Sequence, residues 1–274
     1  MSNTFGNLFR LTGKTAVVTG ALGIIGRKVC AGLAEFGANI VVVDLDPVES
    51  QKFANRLSAD YRVQAMGVAC DVADPQDVEN CVKHAVDKMG RIDILHNNAA
   101  SKSSNLDAFL APFEEYSLEQ WNEVMSVNLN GMFLMAKEVG KQMIKQGNGG
   151  SIIQTASIYG IMGPDHRIYE GSVYMNRPIS SPAVYSASKG GVVAMTKYLA
   201  TYWARHNIRV NTITPGGVES GQNEEFKKRY SNRIPLGRMA QASEMVGAVI
   251  YLASDASSYV TGQNIVVDGG LSAW

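Results

Sequence analysis

The sequence of 274 residues carries no excess charge of either sign, since Lys plus Arg and Asp plus Glu each number 25. This balance provides no electrostatic reason to bind nucleic acid or an anionic membrane. No apolar run reaches the ~18 to 20 residues that a membrane helix needs, and residues 1–11 lack the basic and apolar regions of a signal peptide. We therefore expect neither a nucleic-acid nor a membrane partner, and a cytoplasmic location.

Cysteine is scarce, and its placement excludes other classes of protein. Cys30, Cys70 and Cys81 form an odd set without metal-ligand spacing, so we expect buried, reduced thiols and no metal site. The chain also lacks an internal repeat, a charge block and a Pro/Gly/Ser-rich linker. Residues 1–274 are therefore predicted to form a single domain.

The sequence does contain a regular alternation of short Val/Ile-rich runs with helical patterns. Such runs, joined by helices, indicate a parallel sheet that is covered on both faces. We predict an α/β fold: a single Rossmann domain whose doubly wound, parallel, seven-stranded sheet has helices on both faces. The predicted strands are residues 15–19, 39–43, 63–69, 92–96, 151–155, 208–213 and 263–267. One long helix is predicted over residues 117–145.

A glycine-rich turn between the first strand and the first helix contains Gly20, Gly23 and Gly26. In that position glycines allow a tight turn and close backbone approach to a pyrophosphate at the helix N-terminus. Asp44, at the carboxyl end of the second strand, can accept hydrogen bonds from the adenosine ribose and repels a 2′-phosphate. Leu45 follows it, and residues 21–23 contain no Arg or Lys to pair with that phosphate. NAD is therefore preferred over NADP.

Tyr185 and Lys189 are spaced to lie on one face of a helix. An ammonium near a phenol lowers a pKa that starts near ~10, which suits general acid–base catalysis. Taken alone, such a pair of residues is far more often an ordinary helix start with a solvated lysine.

The chain resembles the short-chain dehydrogenase/reductase family from Gly13 to Gly270, in its short single-domain branch. The matching motifs occur in family order. They are Thr19-Gly20 with its glycines, Cys70-Asp71-Val72, Asn97-Asn98-Ala99-Ala100, Val127-Asn128-Leu129, Ser157, Tyr185-x-x-x-Lys189, Arg209-Val210-Asn211, Pro215-Gly216-Gly217 and Val267-Asp268-Gly269-Gly270.

The resemblance implies a catalytic group of Asn128, Ser157, Tyr185 and Lys189. Tyr185 would exchange a proton with the substrate, and Ser157 would stabilise charge on the same oxygen. Lys189 would hold the nicotinamide ribose and lower the pKa of Tyr185, while Asn128 would orient a water in a proton relay. The implied cofactor residues are Gly20, Gly23, Ile25, Gly26, Asp44, Leu45, Asp71, Val72, Asn98, Ala99, Ala100, Tyr185, Lys189, Pro215, Gly216, Val218 and Ser220.

The sequence departs from the family pattern at three places. The middle glycine is Gly23 where the short branch has it at position 24, and Ala100 replaces a glycine. Ser157 and Tyr185 are 28 positions apart, which is longer than in relatives.

The extra residues form an insertion over residues 163–182, beside a predicted substrate lid over residues 216–236. The insertion contains arginines, whose guanidinium groups suit carboxylates or phosphates, and aromatic rings, which suit sugar faces. These side chains predict a polar, polyhydroxylated substrate and leave open whether it carries an anionic group. The same side chains can equally belong to a solvated surface loop. The candidate substrate residues are Tyr159, His166, Arg167 and Arg177.

The predicted function is an NAD-dependent oxidoreductase that acts on a secondary alcohol or ketone, in particular a sugar or sugar derivative. An NAD-retaining sugar epimerase or dehydratase and a non-catalytic NAD-sensing module are the alternatives. The insertion also resembles oxidoreductases of bacterial flagellin glycosylation and nonulosonic-acid pathways. Family members self-associate through two central helices, here residues 117–145 and 183–205, so a homodimer or homotetramer is expected. Apolar residues on these helices suit either that interface or the core.

Overall fold

A computed structural model describes residues 5–103, 105–174 and 177–274 of the chain. The strands are β1 (Thr15–Thr19), β2 (Asn39–Asp44), β3 (Ala65–Ala69), β4 (Ile94–Asn97), β5 (Gly150–Thr155), β6 (Val173–Tyr174), β7 (Arg177–Pro178), β8 (Ile208–Pro215) and β9 (Asn264–Val267). Within the described residues, seven of them form a parallel sheet in the order β3-β2-β1-β4-β5-β8-β9. The short strands β6 and β7 form a separate antiparallel hairpin.

Helices cover both faces of this sheet. They are α1 (Ile24–Glu35), α2 (Pro47–Tyr61), α3 (Pro75–Met89), α4 (Leu106–Phe109), α5 (Leu118–Met125), α6 (Met132–Gln146), α7 (Ala183–Trp203), α8 (Glu224–Ser231) and α9 (Val246–Ala253). One face buries Val18, Ile40 and Ile153 under α1, α2 and α9, while the other buries Val17 and Ile152 under α3, α6 and α7. Neighbouring strand residues point to opposite faces, so each apolar run supplies both cores. The predicted doubly wound α/β fold is confirmed.

Local sequence signals explain where several helices begin. The Asp46 carboxylate accepts hydrogen bonds from the backbone of Val48 and Glu49 at the start of α2. Asp74 caps α3 in the same way, and the Ser117 hydroxyl accepts from the Gln120 N–H before α5. Each cap satisfies backbone N–H groups that lack a partner within the helix.

The single long helix predicted over residues 117–145 is wrong in one respect. A π-helical turn over Ser126–Gly131 separates α5 from α6 and contains Asn128. Asn128, Asn130 and Gly131 are weak helix formers, and π turns are frequent at functional positions of helices. The presence of these weak helix formers in the sequence was therefore a signal that the helix is interrupted there.

The strand order reverses between β1 and β4, which lie side by side but are not consecutive in the chain. The loops at the carboxyl ends of these strands diverge to opposite faces and leave a crevice between them, where open α/β sheets bind their ligands. In the part of the chain that the structure describes, we find no helix with the length and apolar character needed to cross a bilayer.

Candidate active site

Ser157, Tyr185 and Lys189 meet at the carboxyl edge of the sheet, although the first two are 28 positions apart in the chain. Ser157 follows β5 and is buried, while Tyr185 and Lys189 occupy the first two turns of α7. The Ser157 hydroxyl is close enough to the Tyr185 phenol to favour the ionised form of the phenol. The Lys189 ammonium lies 6.0 Å from the Tyr185 ring centroid and donates to the Thr155 carbonyl at 2.9 Å. The predicted catalytic pair and its serine partner therefore form one cluster.

Burial sets the titration behaviour of this cluster. Loss of solvation raises the pKa of Tyr185, and donation from Ser157 opposes that rise. Burial lowers the pKa of Lys189 to about 8. The expectation that Lys189 holds the Tyr185 pKa below its usual range is therefore wrong for this arrangement. Its ammonium is 6.0 Å away and donates to a carbonyl, so desolvation of the phenolate dominates.

Asn128 is buried in the π turn, where its side chain holds the loop that follows β4. Its amide oxygen accepts from the Ser101 N–H at 2.8 Å, and its amide nitrogen donates to the Ser101 carbonyl at 3.3 Å. These contacts bind Asn128 to the rim of the crevice. Its role in a proton relay stays a prediction.

A cleft of about 640 Å³ occupies the crevice between β1 and β4. Ten of the predicted cofactor residues line it, together with the unpredicted Leu22, Ile24, Val43, Cys70, Ser101 and Val127. The ten are Gly20, Gly23, Ile25, Asp44, Leu45, Asp71, Val72, Asn98, Ala99 and Ala100.

The other cofactor candidates lie outside the wall of that cleft. Gly26 is buried behind the glycine turn. Pro215 ends β8, and Gly216 lines a separate cavity of about 100 Å³. Val218 pairs with Ala240 in an isolated bridge, and the Ser220 hydroxyl accepts from Gln222.

The three glycines of the turn have different roles. Gly20 has φ +60°, and a Cβ there would lie 2.9 Å from the Ala99 backbone. A Cβ on Gly26 would lie 2.2 Å from the Gly20 carbonyl oxygen, so this glycine lets α1 pack against the turn. Gly23 precedes α1 with ordinary extended angles, so its displacement from the position usual in relatives needs no unusual backbone conformation.

Leu22 is held in this turn through both of its backbone polar groups. Its N–H donates to the Asp44 carboxylate at 2.8 Å, and its carbonyl accepts from the Arg27 Nε at 2.8 Å. The Arg27 guanidinium also lies over the Phe53 ring, 5.0 Å from its centroid. The second Asp44 oxygen accepts from the Leu45 N–H at 2.9 Å. Arg27 and Phe53 were missed by sequence reasoning, because their contact joins two different helices.

The candidate substrate residues of the insertion are not brought together. Arg167 pairs with Asp165 through two bonds of 2.8 Å, and its side chain is 84% exposed. His166 is exposed and lines a groove of about 470 Å³ with Phe113 and Ser186. The side chain of Arg177 lies outside what the structure describes.

Tyr159 is the candidate nearest the catalytic cluster. It follows Ser157 by two residues, and its N–H donates to the Ser157 hydroxyl at 3.3 Å. Its phenol accepts from Tyr169 of the insertion at 3.1 Å. Tyr169 is one of the aromatic rings of the insertion but was not among the candidate substrate residues, and the structure brings it to this edge of the site.

The insertion (residues 163–182) and the predicted lid segment (residues 216–236) pack against each other. Tyr169 stacks on Phe226 of α8 with centroids 5.8 Å apart, and Phe226 stacks on Tyr230 at 5.5 Å. Arg229 donates to the Arg167 carbonyl at 3.1 Å and lies 3.6 Å from Glu170. The two segments thus share a hydrophobic cluster that includes Ile158, beside Ser157.

Known proteins resemble this chain over almost its whole length. A sequence model of the short chain dehydrogenase family matches residues 14–231. The D-threitol dehydrogenase of Mycolicibacterium smegmatis is 38% identical over 271 residues, which cover 96% of this chain and 94% of that protein.

Solved structures agree with the sequence comparison. The gluconate 5-dehydrogenase from Burkholderia cenocepacia J2315, in complex with NADP and tartrate, has a TM-score of 0.86 and 34% identity, covering 99% of this chain and 100% of its own. A short chain dehydrogenase from Leptospira borgpetersenii with bound NAD+ has a TM-score of 0.83 and 32% identity, covering 99% and 97%.

The chain belongs to the short-chain dehydrogenase/reductase family. It is an oxidoreductase that acts on CH–OH groups and uses a nicotinamide cofactor. The cleft fits that cofactor, because the glycine turn before α1 forms part of its wall and carries few side-chain atoms that would keep a pyrophosphate away from the backbone. None of the described side chains caps the N-terminus of α1, so no side chain competes there with an anion for the first N–H groups of the helix.

Proposed function

We propose that the chain is an NAD-dependent dehydrogenase of a secondary alcohol in a sugar, a polyol or a derivative of these. The observation that supports this most strongly is the cluster of Ser157, Tyr185 and Lys189 at the carboxyl edge of the sheet. The cluster is beside the strands whose ends form the cofactor cleft. This arrangement provides a proton donor and acceptor next to a site for a hydride carrier.

Tyr185 is the proposed acid–base residue. Burial raises its pKa, so the phenol is protonated at neutral pH and is ready to protonate a ketone oxygen. In alcohol oxidation Tyr185 must first lose its own proton to solvent; its phenolate then accepts the proton of the substrate hydroxyl, while Ser157 donates a hydrogen bond to the substrate oxygen. The nicotinamide ring, when bound, accepts or supplies the hydride. Lys189, with a pKa of about 8, carries a positive charge at neutral pH, and we assign it to the hydroxyls of the nicotinamide ribose.

Tyr185, Ser157 and Lys189 are therefore expected to affect turnover, while the glycine turn affects cofactor affinity. Asn128 is proposed to support the site by holding Ser101 at the cleft rim and to take part in a proton relay. Pro215, Gly216, Val218 and Ser220 follow the neighbouring strand end, and we assign them to the nicotinamide end of the cofactor.

Asp44 supports a preference for NAD. Both of its carboxylate oxygens accept backbone N–H groups, which fixes the negative charge at the cleft wall where a 2′-phosphate would lie. Leu45 is 69% exposed beside it and offers no positive charge. Among the relatives, one structure contains NADP and another NAD+.

Titrating NAD and NADP against the purified protein tests this preference. We expect tighter binding of NAD, and we expect Asp44→Ser to reduce the difference by weakening NAD and admitting NADP. Tighter binding of NADP by the unmodified protein would contradict the assignment.

A spectrophotometric screen of sugars and polyols with NAD tests the reaction. Net formation of NADH supports the dehydrogenase. Product without net NADH would indicate a cofactor-retaining epimerase or dehydratase, and cofactor binding without any product would indicate a sensing module. A link to flagellin glycosylation remains a prediction from the insertion sequence.

Self-association into a dimer or tetramer is also proposed, through α6 and α7. Phe133 is 50% exposed on α6, and Tyr198 and Tyr202 stack on the surface of α7 with centroids 5.7 Å apart. Met132 and Val192 on the same helices are buried and belong to the core. Analytical ultracentrifugation would show a single monomeric species if this is wrong. A cytoplasmic location stays a prediction from the sequence.

A further inference from the structure

We propose that Asp165 makes the site selective for a neutral polyhydroxylated substrate over a sugar acid, because it neutralises Arg233 at the edge of the active site. This inference rests on the proposed function. It assigns to the insertion a role in choosing the substrate by charge. The argument depends on which charged groups face the catalytic cluster and on how each one is paired.

Arg233 is a cation of the lid segment and lies between Tyr230 and Ile234 in the chain, two residues that pack in one cluster with Ile158 and Tyr159 beside Ser157. It follows α8, and its charge opposes the rise that burial imposes on the pKa values of Tyr159 and Tyr230. Tyr185 is itself close enough to affect the pKa of both phenols. A substrate at Tyr185 would therefore lie within the field of the Arg233 guanidinium.

That guanidinium already has an anionic partner. Its Nε lies 3.5 Å from the Asp165 carboxylate, whose side chain is 13% exposed. Asp165 also binds Arg167, and these contacts hold its pKa at about 2, so the carboxylate is ionised at every pH of interest. Arg167 itself is at the surface.

The other arginine of the lid segment, Arg229, is also paired with carboxylates. Arg229 of α8 lies 2.7 Å from Glu225 and 3.6 Å from Glu170. A substrate carboxylate would have to compete with fixed carboxylates for each of these cations. Placing it near Arg233 would also bring it close to the negative charge of Asp165.

The hydroxyl groups of a neutral substrate, in contrast, could form hydrogen bonds with phenols near the catalytic cluster. The phenols of Tyr159 and Tyr169 are hydrogen-bonded to each other at 3.1 Å, beside Ser157. Phenols both donate and accept, so they can bind neutral hydroxyls without a charged partner. The three arginines of these ion pairs, Arg167, Arg229 and Arg233, face the three carboxylates of Asp165, Glu170 and Glu225, so the group as a whole has no net charge. Together with the phenol hydroxyls, this balance suits a neutral polyol.

The test compares a neutral polyol with an aldonate as substrates, using xylitol and gluconate with saturating NAD and measuring kcat/KM for each. We expect the unmodified protein to favour xylitol. Asp165→Asn keeps an acceptor for the Arg167 N–H but frees Arg233, and should shift the ratio of kcat/KM toward gluconate by about fivefold, the effect of one partly exposed ion pair. The shift should appear mainly in the KM for gluconate.

Three further variants serve as controls. Asp165→Glu retains the charge and should keep the ratio. Arg167→Gln removes the surface partner of Asp165 but leaves the pair of Asp165 with Arg233, so it should also keep the ratio. Adding Arg233→Gln to Asp165→Asn should abolish the shift. A preference of the unmodified protein for gluconate, or an unchanged ratio in Asp165→Asn, would overturn the inference while leaving the dehydrogenase intact. Absence of NADH formation with every neutral polyol and aldonate would overturn the proposed function and this inference with it.

Discussion

Leu22 provides a way to test the nucleotide-binding turn apart from the chemistry. Its carbonyl accepts from Arg27 at 2.8 Å, and the same guanidinium lies 5.0 Å from the Phe53 centroid. Arg27→Met keeps much of the packing volume but removes the donor and the charge. The turn is then held at Leu22 by Asp44 alone.

The size of the effect follows from the two contacts that are lost. A hydrogen bond from a charged group contributes about 1.5–3 kcal/mol, and a cation over an aromatic ring about 0.5–1 kcal/mol. Because Asp44 still restrains the turn, we expect roughly half of this sum, about 1.5 kcal/mol, to appear as a tenfold weaker Kd for NAD. The kcat at saturating NAD should stay unchanged, since Tyr185 is not in contact with this turn.

Isothermal titration with NAD and steady-state kinetics measure these quantities. Arg56→Met is the matched control, because Arg56 also lies over Phe53, 5.6 Å from its centroid, and has no contact with Leu22 in the described part of the chain. Its Kd should change by less than about twofold. Arg27→Lys should recover part of the affinity. An unchanged Kd in Arg27→Met, or a fall in kcat at unchanged Kd, would refute the reasoning.

Two predictions concern stability. His96 is fully buried and burial lowers its pKa from 6.5 to about 3, so the unfolded chain binds a proton that the native protein does not. The free energy of unfolding should therefore fall by about 4–5 kcal/mol in total as the pH drops from 6.5 toward 3. Denaturant titrations at several pH values measure this dependence, and His96→Asn should remove the contribution of His96 to it. Gly26→Ala would place a Cβ 2.2 Å from the Gly20 carbonyl oxygen and should cost about 2–3 kcal/mol together with most NAD affinity. Gly23→Ala, whose Cβ would be 3.2 Å away, should cost less, and equal losses in both would contradict this account of the turn.

Much of the architecture could be predicted from the sequence. Runs such as residues 39–43 are buried, as their continuous apolar character predicts, and the doubly wound parallel sheet was predicted with them. The strand order, and with it the switch between β1 and β4, comes from the structure. Ser157, Tyr185 and Lys189 could be named because motif residues at strand ends and helix starts converge in this fold. These features depend on local pattern and topology, which a sequence displays directly.

Contacts between distant segments could not be predicted. Arg167 was expected to face a substrate, but it forms a salt bridge with Asp165, two residues earlier in the chain, and lies at the surface. Tyr169 reaches Tyr159 only because the insertion folds back onto α8. The pKa of Tyr185 depends on how much water the fold excludes, which a Tyr–Lys spacing does not reveal.

The most direct test of the central claim is NADH formation by Tyr185→Phe with a polyol that the unmodified protein oxidises. Removing the phenol hydroxyl removes the proton acceptor but keeps the ring packing, so kcat should fall by about 10²- to 10⁴-fold. The Kd for NAD should stay nearly the same, because ten of the proposed cofactor residues line a cleft to which Tyr185 does not contribute, and the substitution keeps the Tyr185 ring. A Tyr185→Phe protein that retains kcat within about threefold would contradict the assignment of Tyr185 as the acid–base residue.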